Sequence, residues 1–291
     1  MDALKELLPL VIAFSLGLLV FVVGLDSKTR DLTYVLRSPK RLAKAMLAVN
    51  VLTPGAAILL VQFLDIGSAA RVGVLLMAIS PAPPLIPGKA LKLSGQKQYA
   101  YGLYVALIVL AVVVVPVSVW ALGKIYGVEL AIPPFAVARN VVLTVVLPLA
   151  IGVVVRRAAP VLAARAAPLL YKGAMGLLLL AIVPLVVRAW PAMSGLAGDG
   201  ALLVMAAVIA LATAIGALIG RGDPDGQAAL AAAAATRHPG LAVMIAKGNA
   251  ADPQVIAAIL AFLLIGLVVA IPAQAILKRV SAGAPQGPSV P

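Results

Sequence analysis

Long runs of apolar residues, separated by short polar segments, dominate the chain. A helix needs about 20 mostly apolar residues to cross the hydrocarbon core of a bilayer. The pattern therefore predicts an all-α integral membrane protein with nine transmembrane helices. The predicted spans are Leu7–Leu25, Ala45–Leu64, Val72–Gly88, Gln98–Gly123, Asn140–Val155, Gly173–Val187, Ala201–Gly220, Gln227–Ala246 and Pro253–Leu277.

The segments between the spans carry an uneven share of the positive charge. If the helices alternate in direction, fifteen Lys and Arg residues fall on one side and six on the other. Basic residues collect in cytoplasmic loops. We therefore predict a multi-pass protein of the plasma or inner membrane, with an external N-terminus (residues 1–6), a transmembrane domain (7–277) and a disordered cytoplasmic tail (278–291).

Composition excludes most soluble classes. Hydrophobic residues make up 63% of the 291 residues and charged residues 11%, whereas soluble domains are about 45–50% apolar and about 25% charged. The net charge is +13, which fits basic loops facing anionic lipid better than a nucleic-acid surface, because no basic stretch is interleaved with aromatic residues.

The chain also has few residues of the types that enzyme catalysis requires. The chain has no Cys and one His, and no acidic residue lies inside a predicted span. An intramembrane metalloprotease needs two His and a carboxylate, and no phosphate-binding loop of the GxxxxGK[ST] type is present. The sequence therefore predicts a protein that is not an enzyme, needs no cofactor or metal and is not driven directly by ATP.

Two predicted spans break their own helical pattern. The third contains Ser80-Pro81-Ala82-Pro83-Pro84-Leu85-Ile86-Pro87-Gly88-Lys89, and the eighth contains Thr236-Arg237-His238-Pro239-Gly240. Each proline removes a backbone donor and clashes with the preceding turn. Paired Gly/Pro interruptions in two halves of a membrane protein indicate an inverted-repeat transporter with its binding site at the breaks. We place the first repeat at about 7–123 and the second at about 135–277.

The order of several short motifs resembles that of the bile acid:sodium symporter family. They are Val22-Val23-Gly24-Leu25, Ser38-Pro39-Lys40, Asn50 with Pro54, Ser80-Pro81 and Gly240-Leu241-Ala242. The resemblance covers roughly Leu7 to Leu277. It implies a panel domain, made here of spans 1, 5 and 6, beside a core domain of spans 2, 3, 4, 7, 8 and 9. It also implies that the two broken helices cross in the core, and that the first helix of ten-helix members is missing.

The family's sodium-binding positions carry unsuitable residues in this chain. By the resemblance, sodium-coupled members have a small hydroxyl residue and an asparagine at the first crossover. This chain has Ile86 and Pro87 at those positions. At the second crossover those members have a glutamate, a glutamine and an asparagine, and this chain has Ala233, Arg237 and His238. We therefore expect transport that does not depend on sodium through the family's usual ligands.

Ionisable residues near the breaks are the candidate substrate-binding groups, because a charge at the bilayer centre costs at least about 2.5–3.5 kcal/mol. Lys89 and Arg237 are expected to attract an anion. The structural alternatives are that Lys89 reaches the inner surface and that Arg237 bonds unwound carbonyls. His238 is a candidate for proton coupling, since histidine is the side chain type whose ordinary pKa lies nearest to neutral pH. The full candidate set is Arg237, His238, Lys89, Asn50, Thr236, Pro87 and Pro239.

These observations predict a secondary transporter of a small or amphipathic organic anion, working by alternating access in the lipid bilayer. Protons are a candidate coupling partner, and nucleic acid is not a partner. An auxin-efflux-type carrier and a sodium-coupled symporter on the same architecture are alternatives. An intramembrane enzyme and a channel are more distant ones.

Overall fold

Helices account for all regular structure in the residues that the computed structural model describes, which are 2–83, 97–127, 133–249 and 251–282. The helices are α1 (Asp2–Asp26), α2 (Thr29–Leu32), α3 (Pro39–Met46), α4 (Thr53–Phe63), α5 (Ser68–Ile79), α6 (Lys97–Tyr126), α7 (Pro134–Val141), α8 (Leu147–Ala158), α9 (Pro160–Gly195), α10 (Ala201–Ile219), α11 (Pro224–Ala235), α12 (Pro239–Gly248) and α13 (Pro253–Ala282).

Proline marks many of the helix boundaries. Six helices begin at a proline, where the missing N–H would be unpaired in any case; these are α3, α7, α9, α11, α12 and α13. Two π-helical segments, Leu47–Leu52 and Val142–Val146, join α3 to α4 and α7 to α8. Each is followed within two residues by a proline, Pro54 or Pro148.

The all-α membrane class predicted from the hydropathy pattern is confirmed. Within the described residues, six helical stretches are long and apolar enough to cross a bilayer, and three further apolar helices are shorter, at Leu10–Asp26, Ser68–Ile79 and Pro253–Val269. These nine stretches fall where the nine spans were predicted, while the exact number of crossings stays a prediction.

Several predicted boundaries need correction. The second apolar helix begins at Pro39, not at Ala45, because polar Lys and Arg residues form its first turns. The sixth, α9, begins at Pro160 and runs for 36 residues, or about 54 Å at about 1.5 Å per residue, so its basic first turns extend past an apolar layer of about 30 Å. The last helix continues to Ala282, past the predicted end at Leu277.

Two groups of helices pack side by side. We call α1, α8 and α9 the three-helix group, since α1 packs along both of the others. The central group comprises α4, α5, α10, α11, α12 and α13, with α11 packed against α10 and α13. The groups meet where α9 contacts α13.

Small residues allow close backbone contacts within each group, as is common in membrane helices. A Cβ atom on Gly24 of α1 would lie 2.9 Å from Cα of Gly152 on α8. In the central group, a Cβ on Gly216 of α10 would lie 2.5 Å from Cα of Ala231 on α11. Residues 228–235 of α11 are all buried, so this alanine-rich helix lies inside the protein rather than against lipid.

Candidate functional site

Two interrupted segments meet inside the central group. Helix α5 ends at Ile79, and residues 81–83 after it have no regular secondary structure. The second interruption separates α11 from α12 at residues 236–238. The backbone N–H of His238 donates to the carbonyl of Pro81 at 3.0 Å, so the two interruptions are joined directly.

Proline chemistry explains why carbonyls are free at this junction. In the π-helical register Thr53 N–H bonds to the carbonyl of Ala48, five residues earlier. The next donor in that register would serve the carbonyl of Val49, but it belongs to Pro54, which has no N–H. The carbonyl of Ser80 is likewise left without a helical partner, since α5 ends one residue before it.

Arg237 binds both of these carbonyls. Its Nη2 donates to the Val49 oxygen at 2.9 Å and its Nη1 donates to the Ser80 oxygen at 3.3 Å. One guanidinium thus connects the π segment before α4, the end of α5 and the segment between α11 and α12. Unwound backbone inside a membrane must find donors within the protein, and Arg237 supplies two of them.

The charge of Arg237 has no acidic partner in the described parts of the chain. The side chain is 3% exposed, and its Nε has no hydrogen-bond partner among the described residues. A buried cation without a counter-charge is costly, and the two backbone carbonyls are the hydrogen-bond acceptors that stabilise this one.

His238 caps the following helix. Its Nδ1 accepts a hydrogen bond from the backbone N–H of Leu241 at 3.3 Å, at the first turn of α12. A nitrogen that accepts carries no proton, so this geometry corresponds to imidazole protonated at Nε2. Gly240 lies close both to this side chain and to α1: a Cβ on Gly240 would lie 3.0 Å from Cε1 of His238 and 3.1 Å from Cδ1 of Leu16.

The nearby hydroxyl and amide side chains are bound locally. Thr236 Oγ1 donates to the carbonyl of Ala232, Thr53 Oγ1 to that of Ala48 and Ser80 Oγ to that of Leu76. The amide of Asn50 lies 3.2 Å from the sulfur of Met46. Back-bonding of this kind satisfies a hydroxyl without a ligand.

A partly open cavity of about 90 Å³ lies between the three-helix group and the junction. Among the described residues that line it, Thr236 and Arg237 have polar side chains. The lining residues are Ile12 and Leu16 from α1, Leu178 and Ile182 from α9, Phe262, Leu263, Gly266 and Leu267 from α13, and Met77, Pro83, Ala235, Thr236, Arg237 and Pro239 around the junction.

The structure brings together only part of the candidate set. Arg237, Thr236 and Pro239 line the cavity, whereas His238 and Asn50 lie close to the junction without lining it. Pro87 and Lys89 lie outside the described residues. The apolar wall residues of α1, α9 and α13 were missed, because an apolar residue within an apolar span carries no sequence signal for a cavity.

The all-helical fold and its long apolar helices define a multi-pass membrane protein. A family model described as "Sodium Bile acid symporter family" matches residues 13–192. The match spans more than half of the chain, so this protein belongs to the sodium bile acid symporter family. It includes the end of α5 but not Arg237 or His238. No curated protein matches the chain.

Proposed function

We propose that this chain is a secondary transporter that carries an organic anion by alternating access. Membership of a transporter family supports the general activity. The observation that carries the choice of an anion is the buried guanidinium of Arg237, which has no carboxylate partner in the described residues and forms part of an apolar cavity wall. We propose no catalytic activity and no cofactor.

The proposed site uses a fixed positive charge. The bonds to Val49 and Ser80 hold the guanidinium in place, while its remaining N–H groups are available to a carboxylate or sulfonate. The N-terminus of α12, which begins at Pro239 in the same wall, adds the positive end of a helix dipole. Lys89 remains a proposed second cation.

We further propose that transport needs no sodium ion. The guanidinium binds two backbone carbonyls that would otherwise be available to a metal cation, and it brings its own charge. His238 is the proposed proton-coupling group. The alternative, a sodium-coupled symporter on the same architecture, predicts a steep sodium requirement.

The proposed movement is a displacement of the three-helix group, the counterpart of the panel implied by the family resemblance, against the central group, which is the implied core without α6. The cavity between these groups supports this division. The excess of basic residues in alternate segments supports an external N-terminus and a cytoplasmic C-terminus in a plasma or inner membrane.

The test is anion binding and uptake by the purified full chain. Carboxylates from acetate to cholate are screened by thermal stabilisation in choline buffer, and any hit is measured as uptake into proteoliposomes with choline or sodium outside. We expect Arg237→Gln to weaken binding of the hit about 10- to 100-fold, the range of a lost charge-assisted hydrogen bond.

Arg188→Gln is the matched control, because Arg188 is an exposed residue near the end of α9 and its loss should leave affinity unchanged. Equal binding by Arg237→Gln and the parent would assign Arg237 a purely structural role. Uptake that stops when choline replaces sodium would overturn the sodium-independent mechanism while leaving the anion site intact.

A further inference from the structure

The turn between α8 and α9, on the three-helix group, concentrates positive charge. Arg156 and Arg157 lie in the last turn of α8, and Arg165 lies in the second turn of α9. No acidic residue occurs in the sequence between Glu129 and Asp199. The basic residues of this turn therefore have no counter-charge on their own two helices.

Two guanidinium groups approach the backbone of this turn. Nη1 of Arg156 donates to the carbonyl of Pro160 at 3.2 Å, and Arg165 lines an open hollow at the same residue. Neither side chain forms an ion pair with an acidic residue in the described parts of the chain. The described residues that line the hollow with Arg165 are Ala159, Pro160, Val161 and Leu162.

The opposite face of α9 is covered by α1. Ala163 and Ala167 are buried against Leu25, near the end of α1. Asp26, the last residue of α1, accepts a hydrogen bond from the hydroxyl of Tyr101 on α6. The acidic end of α1 is thus bound elsewhere, and the hollow at the turn faces away from the helix group.

Basic and apolar side chains alternate along the outward face of α9. Leu162, Arg165, Leu169 and Lys172 are spaced by three or four residues, so they share one face of the helix. All four are exposed, Leu162 by 62% and Leu169 by 71%. The uncharged stretch of α9 begins at Gly173, and Arg165 precedes it by about 10 Å at about 1.5 Å per residue. Arg165 is therefore at the depth of lipid headgroups when that stretch lies in the hydrocarbon core.

We propose that the α8–α9 turn binds an anionic phospholipid of the inner leaflet. The phosphate is held by Arg156 and Arg165, because guanidinium groups match the geometry of a phosphate. An acyl chain lies along the exposed side chains of Leu162 and Leu169. Basic pockets between membrane helices on the cytoplasmic side recognise lipid headgroups in this way. The bound lipid would hold the three-helix group at a fixed depth in the inner leaflet.

The test measures lipid binding to the purified full chain by native mass spectrometry, with dioleoyl phosphatidylglycerol or dioleoyl phosphatidylcholine added to the detergent. The parent should bind phosphatidylglycerol in preference. Arg165→Gln should weaken that binding about fivefold, the effect of one basic residue close to an anionic surface. Arg156→Gln combined with Arg165→Gln should weaken it about 25-fold, and binding of phosphatidylcholine should stay unchanged.

Arg188→Gln is the matched control, because Arg188 is an exposed arginine near the other end of α9. It should bind phosphatidylglycerol as the parent does, and an equal loss in both single variants would overturn the assignment of the site to this turn. Equal binding of the two lipids by the parent would overturn the proposal altogether. Displacement of phosphatidylglycerol by millimolar glycerol 3-phosphate would show a site for a soluble phosphate rather than for a lipid. None of these outcomes depends on anion binding at Arg237.

Discussion

Arg237 shows how one residue can serve both structure and function. Its two hydrogen bonds to the Val49 and Ser80 carbonyls are the structural role that the sequence left open. Its position in the cavity wall is compatible with the functional role as well. The two roles are linked, because a guanidinium fixed by backbone carbonyls presents its charge to a ligand in a defined place.

His238 stabilises the start of α12. Its Nδ1 caps α12, and loss of an N-cap costs about 0.5–2 kcal/mol. We expect His238→Ala to lower the free energy of unfolding by about 1 kcal/mol, whereas His238→Asn retains a capping oxygen and nearly all the stability. Chemical denaturation in detergent measures both.

The same pair of variants separates capping from proton coupling. If His238 couples transport to protons, both variants should have a flatter dependence of uptake on pH, although only His238→Ala is destabilised. A parental pH profile in His238→Asn would show that the imidazole does not couple protons.

At the scale of elements, the central group depends on close contact between α10 and α11. A Cβ atom added at Gly216 would lie 2.5 Å from Cα of Ala231 and 2.6 Å from the carbonyl oxygen of Leu230. These are backbone atoms of the buried stretch 228–235 of α11, so they cannot move aside as the end of a flexible side chain can. The position of α11, and with it that of Arg237, therefore depends on a residue without a side chain.

We expect Gly216→Ala to destabilise the protein by about 1–3 kcal/mol, the usual cost of overpacking. Gly176→Ala is the matched control, because nothing lies within 4 Å of a Cβ at Gly176 in the middle of α9. That change should be neutral or stabilising by up to about 1 kcal/mol. Equal unfolding free energies for the two variants would contradict the close packing of α10 against α11.

For the whole molecule, alternating access requires the three-helix group to move against the central group. Leu16 of α1 and Gly240 of α12 contact each other across the boundary between them: Cδ1 of Leu16 lies 3.1 Å from a Cβ built on Gly240. A link between these two positions should therefore stop movement without removing the anion site.

The absence of cysteine from the chain makes this test simple. A reducible bifunctional thiol reagent linking Leu16→Cys to Gly240→Cys should abolish uptake, and reduction should restore it. Leu19→Cys with Ala174→Cys is the control, since both positions pack within the three-helix group and a link there should leave uptake intact. Full uptake by the linked Leu16/Gly240 pair would exclude movement at this boundary.

The sequence by itself determined the class of the molecule and the approximate place of its helices. Apolar runs predict membrane helices because a helix needs an uninterrupted apolar stretch to cross the hydrocarbon core. Clustered prolines predict breaks because each proline lacks the backbone N–H that a helix requires. Both are local effects. These local effects predict the interruptions near Ser80 and Arg237. They also make Arg237 a candidate substrate-binding residue from the sequence alone.

Only the tertiary structure decided which groups Arg237 contacts. Val49 and Ser80 are 188 and 157 residues away in sequence, and their carbonyls belong to the backbone, which every residue type shares. The cavity walls from α1, α9 and α13 could not be predicted from the sequence either. In a membrane protein, apolar residues that face lipid and apolar residues that face a cavity are of the same types. The site is a product of helix packing, and packing depends on shape across the whole chain.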